Sequence, residues 1–118
     1  MAIFYRMVLG DKHMIYDITD GNFETTVLQN KLPVLVDFWA DWCQPCLTLA
    51  KTLKPMSDEN TDKIFFAKMN VDTNTEIPIA YGVRSIPYIL LFKDGEVVNS
   101  LTGNQTKEKI ESFLRSVY

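Results

Sequence analysis

One stretch constrains the fold of this chain more than any other: Val34-Leu35-Val36-Asp37-Phe38-Trp39, which follows Pro33 and runs into Trp42-Cys43-Gln44-Pro45-Cys46. A run this apolar reads as a strand buried on both faces, hence central in its sheet, and such a strand needs helices above and below it. The next helix starts at about Cys43 and runs to Asn60. Pro45 falls in its first turn, where a missing N–H breaks no intrahelical bond.

The rest of the chain alternates in the same way. Ile15 to Ile18 is a short strand, and Asn22 is placed to cap a helix carrying Phe23 and Val27 on one side. Ile64 to Val71 is a third strand. A short helix over Glu76–Tyr81 stops at Gly82, a residue that accepts positive φ. Tyr88 to Phe92 and Val97 to Leu101 flank Lys93-Asp94-Gly95-Glu96, and Asp-Gly between apolar runs signals a hairpin. Thr106 caps a last helix with Ile110, Phe113, Leu114 and Val117 on one stripe. The order βαβαβα followed by ββα predicts an α/β fold, with a mixed central sheet of about five strands flanked by four helices.

At 118 residues the chain is one domain, and its formal charge of −3 gives no reason to expect nucleic acid or an anionic membrane as partner. No stretch approaches the roughly 20 apolar residues of a membrane span. Residues 1–13 are set apart as an N-terminal extension or expression remnant, with the domain proper over 14–118. Arg6 interrupts their apolar run, which makes a poor signal peptide, and Met14 offers an alternative start. His13, the lone histidine, lies there and receives no role. Without a signal the expected compartment is the cytoplasm, where a cysteine pair is more often catalytic or metal-binding than structural.

Cys43 and Cys46 are the only cysteines. A thiol at a helix start meets unpaired N–H groups and the positive end of the macrodipole, which lower its pKa from about 8.5 into the range of roughly 3.5 to 7.5. Cys43 is therefore the candidate nucleophile. Cys46, one turn on, is placed to attack a mixed disulfide and release the reduced substrate. Two buried core cysteines, or half of a zinc site completed by a second subunit, are the competing readings. Asp37 sits in an otherwise apolar strand. It is either a desolvated carboxyl with a raised pKa, able to take a proton from Cys46, or a strand-end residue facing solvent. Pro87 opens a strand and, taken alone, reads as an ordinary trans X–Pro loop. Trp39, Trp42, Tyr81 and Tyr88 suit either a groove or the core.

Phe38-Trp39-Ala40-Asp41-Trp42-Cys43-Gln44-Pro45-Cys46 closely resembles the active-site segment of the thioredoxin family, written F-W-A-x-W-C-G-P-C. The match continues through Asp72, Tyr81 to Pro87, and Phe92 to Glu96 as far as Gly103. The resemblance implies Cys43 as nucleophile, Cys46 as resolving thiol, buried Asp37 as proton acceptor and Lys68 as its neighbour. It makes Ile86-Pro87 a cis-proline loop beside the disulfide. The substrate groove would then be formed by Trp42, Gln44, Pro45, Ile86, Tyr88 and Gly103. Gln44 departs from the family's Gly, Leu47 from a common Lys or Arg, and Tyr88 from a common Thr. Lys51 stands at the position of a helix-kinking Pro, with Pro55 one turn later.

The resemblance implies a thiol–disulfide oxidoreductase that reduces protein disulfides without a bound cofactor or metal. Its partners would be protein disulfide substrates and a thioredoxin reductase or equivalent electron donor, and a monomer is expected. An oxidant or isomerase of the same fold is one alternative. A binding subunit with dispensable cysteines is the other.

Overall fold

The computed structural model describes residues 15–118; the expectations placed on residues 1–13, His13 and Met14 lie outside the described residues. Five strands form one sheet in the order β1-β3-β2-β4-β5. They are β1 (Tyr16–Asp17), β2 (Val34–Trp39), β3 (Phe65–Asn70), β4 (Tyr88–Lys93) and β5 (Glu96–Thr102). The predicted central strand is β2, which pairs in parallel with β3 and antiparallel with β4. Its residues Val34, Leu35, Val36 and Phe38 are fully buried, because both faces are covered.

Side-chain alternation along β2 sorts the core into two layers. Leu35 joins Leu49, Leu53 and Met56 of α2 (Gln44–Glu59) and Ile110, Phe113 and Leu114 of α4 (Lys107–Leu114). Val34, Val36 and Phe38 face the opposite way, onto Phe23 and the short helix α1 (Glu24–Leu28) with its buried Val27. Ile77, near the start of α3 (Glu76–Ala80), packs on that layer too. Helices therefore cover both faces, and the five-stranded mixed sheet with four helices has the predicted layout. Asp37 is in phase with Leu35, so it points into the α2/α4 layer.

Local chemistry sets the element boundaries. Asp94 (φ 53°) and Gly95 (φ 81°) turn the β4–β5 hairpin, both in the left-handed region that a two-residue type I′ loop demands. A Cβ on Gly95 would come within 3.0 Å of the Leu28 carbonyl oxygen, so glycine also lets the turn approach α1. Thr106 Oγ1 accepts from Lys109 N at 3.2 Å and caps α4, whose stripe of Ile110, Phe113 and Leu114 is buried, and Val117 continues it in the 3-10 turn Arg115–Val117. Pro55 lies inside α2, which continues to Glu59.

Two local readings are corrected. Asn22 does not cap α1: its Oδ1 accepts from Thr19 N at 2.8 Å, closing a turn behind the helix. Instead α1 closes with a wide i→i+5 bond, from Gln29 N to Glu24 O at 3.0 Å. The first strand shrinks to two residues because it is an edge, held only by pairing with β3.

Candidate active site

The carboxyl end of β2 delivers the chain to the start of α2. Ala40 O accepts from Cys43 N at 3.2 Å, and Cys43, extended at φ −90° and ψ 101°, is the N-cap of α2. Its Sγ accepts from Cys46 N at 3.3 Å, the role a serine or threonine oxygen plays at most helix starts. Cys43 and Cys46 are joined in a disulfide with their Cα atoms 5.2 Å apart. Overall exposure does not separate the two, at 4% and 1%. Gln44 and Pro45, between them, are exposed.

Two further segments close on the pair. Ile86-Pro87 is a cis peptide bond, as the resemblance implied, and the Ile86 carbonyl oxygen lies 3.8 Å from Cys43 Sγ. Gly103 N, at φ 82°, donates to Pro87 O at 2.8 Å and brings the end of β5 to this loop. On the other side, Trp42 is 70% exposed, and its indole Nε1 donates to Asp72 Oδ2 at 2.9 Å. Ile86 therefore packs against the disulfide, Trp42, Gln44 and Pro45 adjoin it in sequence, and Gly103 is bonded to the cis-proline. Tyr88 follows Pro87 but is half-buried against the α1/α3 layer, its ring 6.4 Å from that of Phe38. Tyr81 lies in the core, 5.5 Å from Phe23 and 5.4 Å from Phe92. Leu47 is exposed on the first turn of α2.

Asp37 is the buried carboxyl rather than the solvent-facing one. It is 4% exposed, Oδ1 has no hydrogen-bond partner, and burial pushes its pKa up to about 7. Lys68, aligned with it across β3, pulls in the opposite direction with a smaller effect. The Lys68 ammonium sits 3.9 Å from Asp17 Oδ1 and 5.1 Å from the centre of the Trp39 ring. Trp39 itself packs against the cysteines, as does Val71, which sequence reasoning passed over. Val71 is one apolar residue among many, and nothing local marks it. Asp72 entered only through the resemblance, without a role; its partner is 30 residues away. Among the described residues, no three His, Cys, Asp or Glu side chains gather to hold a metal, and no helix is long and apolar enough to cross a membrane.

A dithiol able to close at a helix N-terminus, with the carbonyl of a cis X–Pro bond beside it, is a redox centre. The thioredoxin family model matches residues 14–116. The chain belongs to the thioredoxin family. It is 45% identical over 101 residues to a thioredoxin of Rickettsia prowazekii, covering 86% of this chain and 96% of that one. A thioredoxin of Acidithiobacillus ferridurans is 43% identical, covering 84% and 92%, and one of Haemophilus influenzae 41%, covering 85% and 94%. The fold is the thioredoxin fold, and the activity is thiol–disulfide exchange: the chain is a protein-disulfide reductase. Members of the family act on protein disulfides and are recharged by a reductase, so both kinds of partner are implied in general.

Proposed function

We propose that the reduced protein attacks substrate disulfides through Cys43, with Cys46 resolving and Asp37 moving the proton. The Cys43 thiolate attacks one sulfur of a substrate disulfide; that bond breaks, a Cys43–substrate disulfide forms, and the other substrate sulfur leaves as a thiolate. Cys46 then gives its proton to the Asp37 carboxylate and attacks Cys43 Sγ. This expels the second substrate sulfur and leaves the Cys43–Cys46 disulfide. Two electrons pass from the dithiol to the substrate, and an external reductase returns them. The observation that carries this reading is Cys43 Sγ receiving the Cys46 N–H at the mouth of α2, a contact that favours a thiolate at Cys43.

Asp37 suits proton transfer because a pKa of about 7 lets it accept and release a proton near neutral pH. Lys68 tempers that shift. Ile86, Pro87 and Gly103 form one side of the groove, offering backbone to a substrate peptide, and Trp42, Gln44, Pro45 and Tyr88 complete it. We assign the domain to residues 14–118 and place the protein in the cytoplasm as a monomer, where a reductase supplies electrons. A charge of −3 supports neither nucleic acid nor an anionic membrane as partner.

Alkylation of the reduced protein tests the assignment. Iodoacetamide at pH 7 should modify Cys43 at least about tenfold faster than Cys46, and Cys43→Ser should abolish reduction of insulin. Equal rates at the two thiols would sink the nucleophile assignment.

A further inference from the structure

The segment between β3 and α3, residues 71–75, forms one wall of the site without belonging to a strand or a helix. Val71 packs on Cys43 and Cys46, and its N donates to Trp39 O at 2.9 Å. Asp72 receives the Trp42 indole at 2.9 Å, and its own N donates to Asn70 Oδ1 at 2.8 Å. A connection of this kind holds a fixed shape only where something outside it supplies partners.

Asn74 supplies them. It is one of the few buried polar side chains, and both ends of its amide are hydrogen-bonded. Oδ1 accepts from Asp20 N at 2.9 Å, and Nδ2 donates to Asn70 O and to Thr73 Oγ1, each at 3.1 Å. Asp20, in the loop after β1, completes the clamp from the far side. One carboxylate oxygen accepts from Glu76 N at 3.1 Å and the other from Ile77 N at 2.9 Å, capping α3. Asn74 thus ties the end of β3 to Asp20, and Asp20 ties itself to the start of α3. The residues facing the cysteines lie between these two anchors.

We propose that Asn74, with Asp20, is a positioning residue for the reaction. The clamp fixes the 71–75 segment so that Asp72 holds the Trp42 indole in one orientation beside Cys43. A substrate then meets a formed groove and does not have to order it. The inference rests on Trp42 being part of the substrate groove, and it predicts an effect on substrate binding separate from thiol chemistry.

The test combines steady-state reduction of insulin with NMR of the two indole N–H groups. Asn74→Ala should raise KM by roughly threefold to tenfold, the size of losing one neutral hydrogen bond, with kcat changed less than about twofold. Solvent exchange of the Trp42 indole proton should accelerate by a similar factor while that of Trp39 stays put. In an Asp72→Ala background, Asn74→Ala should add nothing further to KM. A lowered Tm with unchanged KM and unchanged Trp42 exchange would overturn the proposal and leave the clamp purely structural. A further rise in KM without Asp72 would overturn it as well. Should Asn74→Ala fail to fold, Asn74→Asp keeps the acceptor for Asp20 N, loses the donors to Asn70 O and Thr73, and carries the same readouts. Trp42→Ala separates the two readings. If KM is unchanged there, the groove assignment fails; if KM rises there but not in Asn74→Ala, only the clamp fails.

Discussion

The interior of β2 around Asp37 and the β3–α3 connection around Asn74 each bury a polar side chain, 4% and 8% exposed, and then treat it in opposite ways. Asn74 has three hydrogen bonds to groups that also need partners, so its burial builds geometry. Asp37 has an unpartnered oxygen and apolar neighbours in sequence, so its burial builds proton affinity. A satisfied neutral amide adds rigidity at little cost, whereas a desolvated carboxyl lowers stability whenever it is charged. Equal burial therefore says nothing of role until partners are counted.

Asp37 gives the largest effect with which to break this contrast. Its pKa is about 7 in the folded protein against 3.8 as the ordinary value, so between those limits the folded state holds a proton the unfolded chain has released. The contribution of Asp37 to stability is then most favourable below about pH 4, falls as pH rises toward 7, and levels off above. The shift corresponds to roughly 4 kcal/mol at 1.36 kcal/mol per unit. Asp37→Asn should remove most of this slope, gaining roughly 3 kcal/mol at pH 8 and almost nothing at pH 4, read by urea unfolding of the oxidised protein. The same variant should slow resolution of a mixed disulfide by about a hundredfold while its formation is unchanged. Unaltered stability at pH 8 would remove the claim that Asp37 is a costly group kept for chemistry.

Asn74→Ala should behave differently in the same unfolding experiment. Asp20 N–H and Asn70 C=O lose their partners, at a cost of about 2 kcal/mol. The loss should be the same at pH 4 and pH 8, because the bonds removed join neutral groups, the Asp20 N–H, the Asn70 carbonyl and the Thr73 hydroxyl. Parallel pH curves for this variant and a flattened curve for Asp37→Asn would sharpen the contrast. A loss that appeared only at high pH would tie the two regions together.

What the chain announced in advance follows the same division. The boundaries of β2, the Asp94-Gly95 turn and the Thr106 cap were legible because each rests on neighbours in sequence: a bounding proline, a left-handed pair, an apolar stripe after a hydroxyl. The cysteines were legible for the same reason, since three residues of spacing at a helix start is a local fact. Asn22 misled because two local bonds competed for its side chain, and the turn to Thr19 won. Asn74 and Asp20 were silent because the contacts that join them to each other and to α3 span more than 50 positions and use residues that are common in any loop. Asp37 stood between these cases. Its strand was plain, but whether solvent reached it depended on helices that only the fold puts in place.

The smallest effect lies at the sheet edge and probes how far the field on Asp37 extends. Asp17, Lys68 and Asp37 stand in register across β1, β3 and β2, two carboxylates with one ammonium between them. Asp17 is 77% exposed, so its 3.9 Å pairing with Lys68 contributes little stability of its own. The pairing nevertheless draws toward solvent the cation that lowers the Asp37 pKa. Asp17→Asn removes that pull and also one negative charge, and both changes favour ionised Asp37. The Asp37 titration, followed by carboxyl 13C NMR, should move down by a fraction of a unit, and stability at pH 8 should rise slightly while that at pH 4 stays level. A titration that does not move would mean that the packing of Lys68 over the Trp39 ring, not its surface partner, decides where the charge sits. The proton affinity of Asp37 would then be set entirely within the α2/α4 layer, and the first strand would have no part in it.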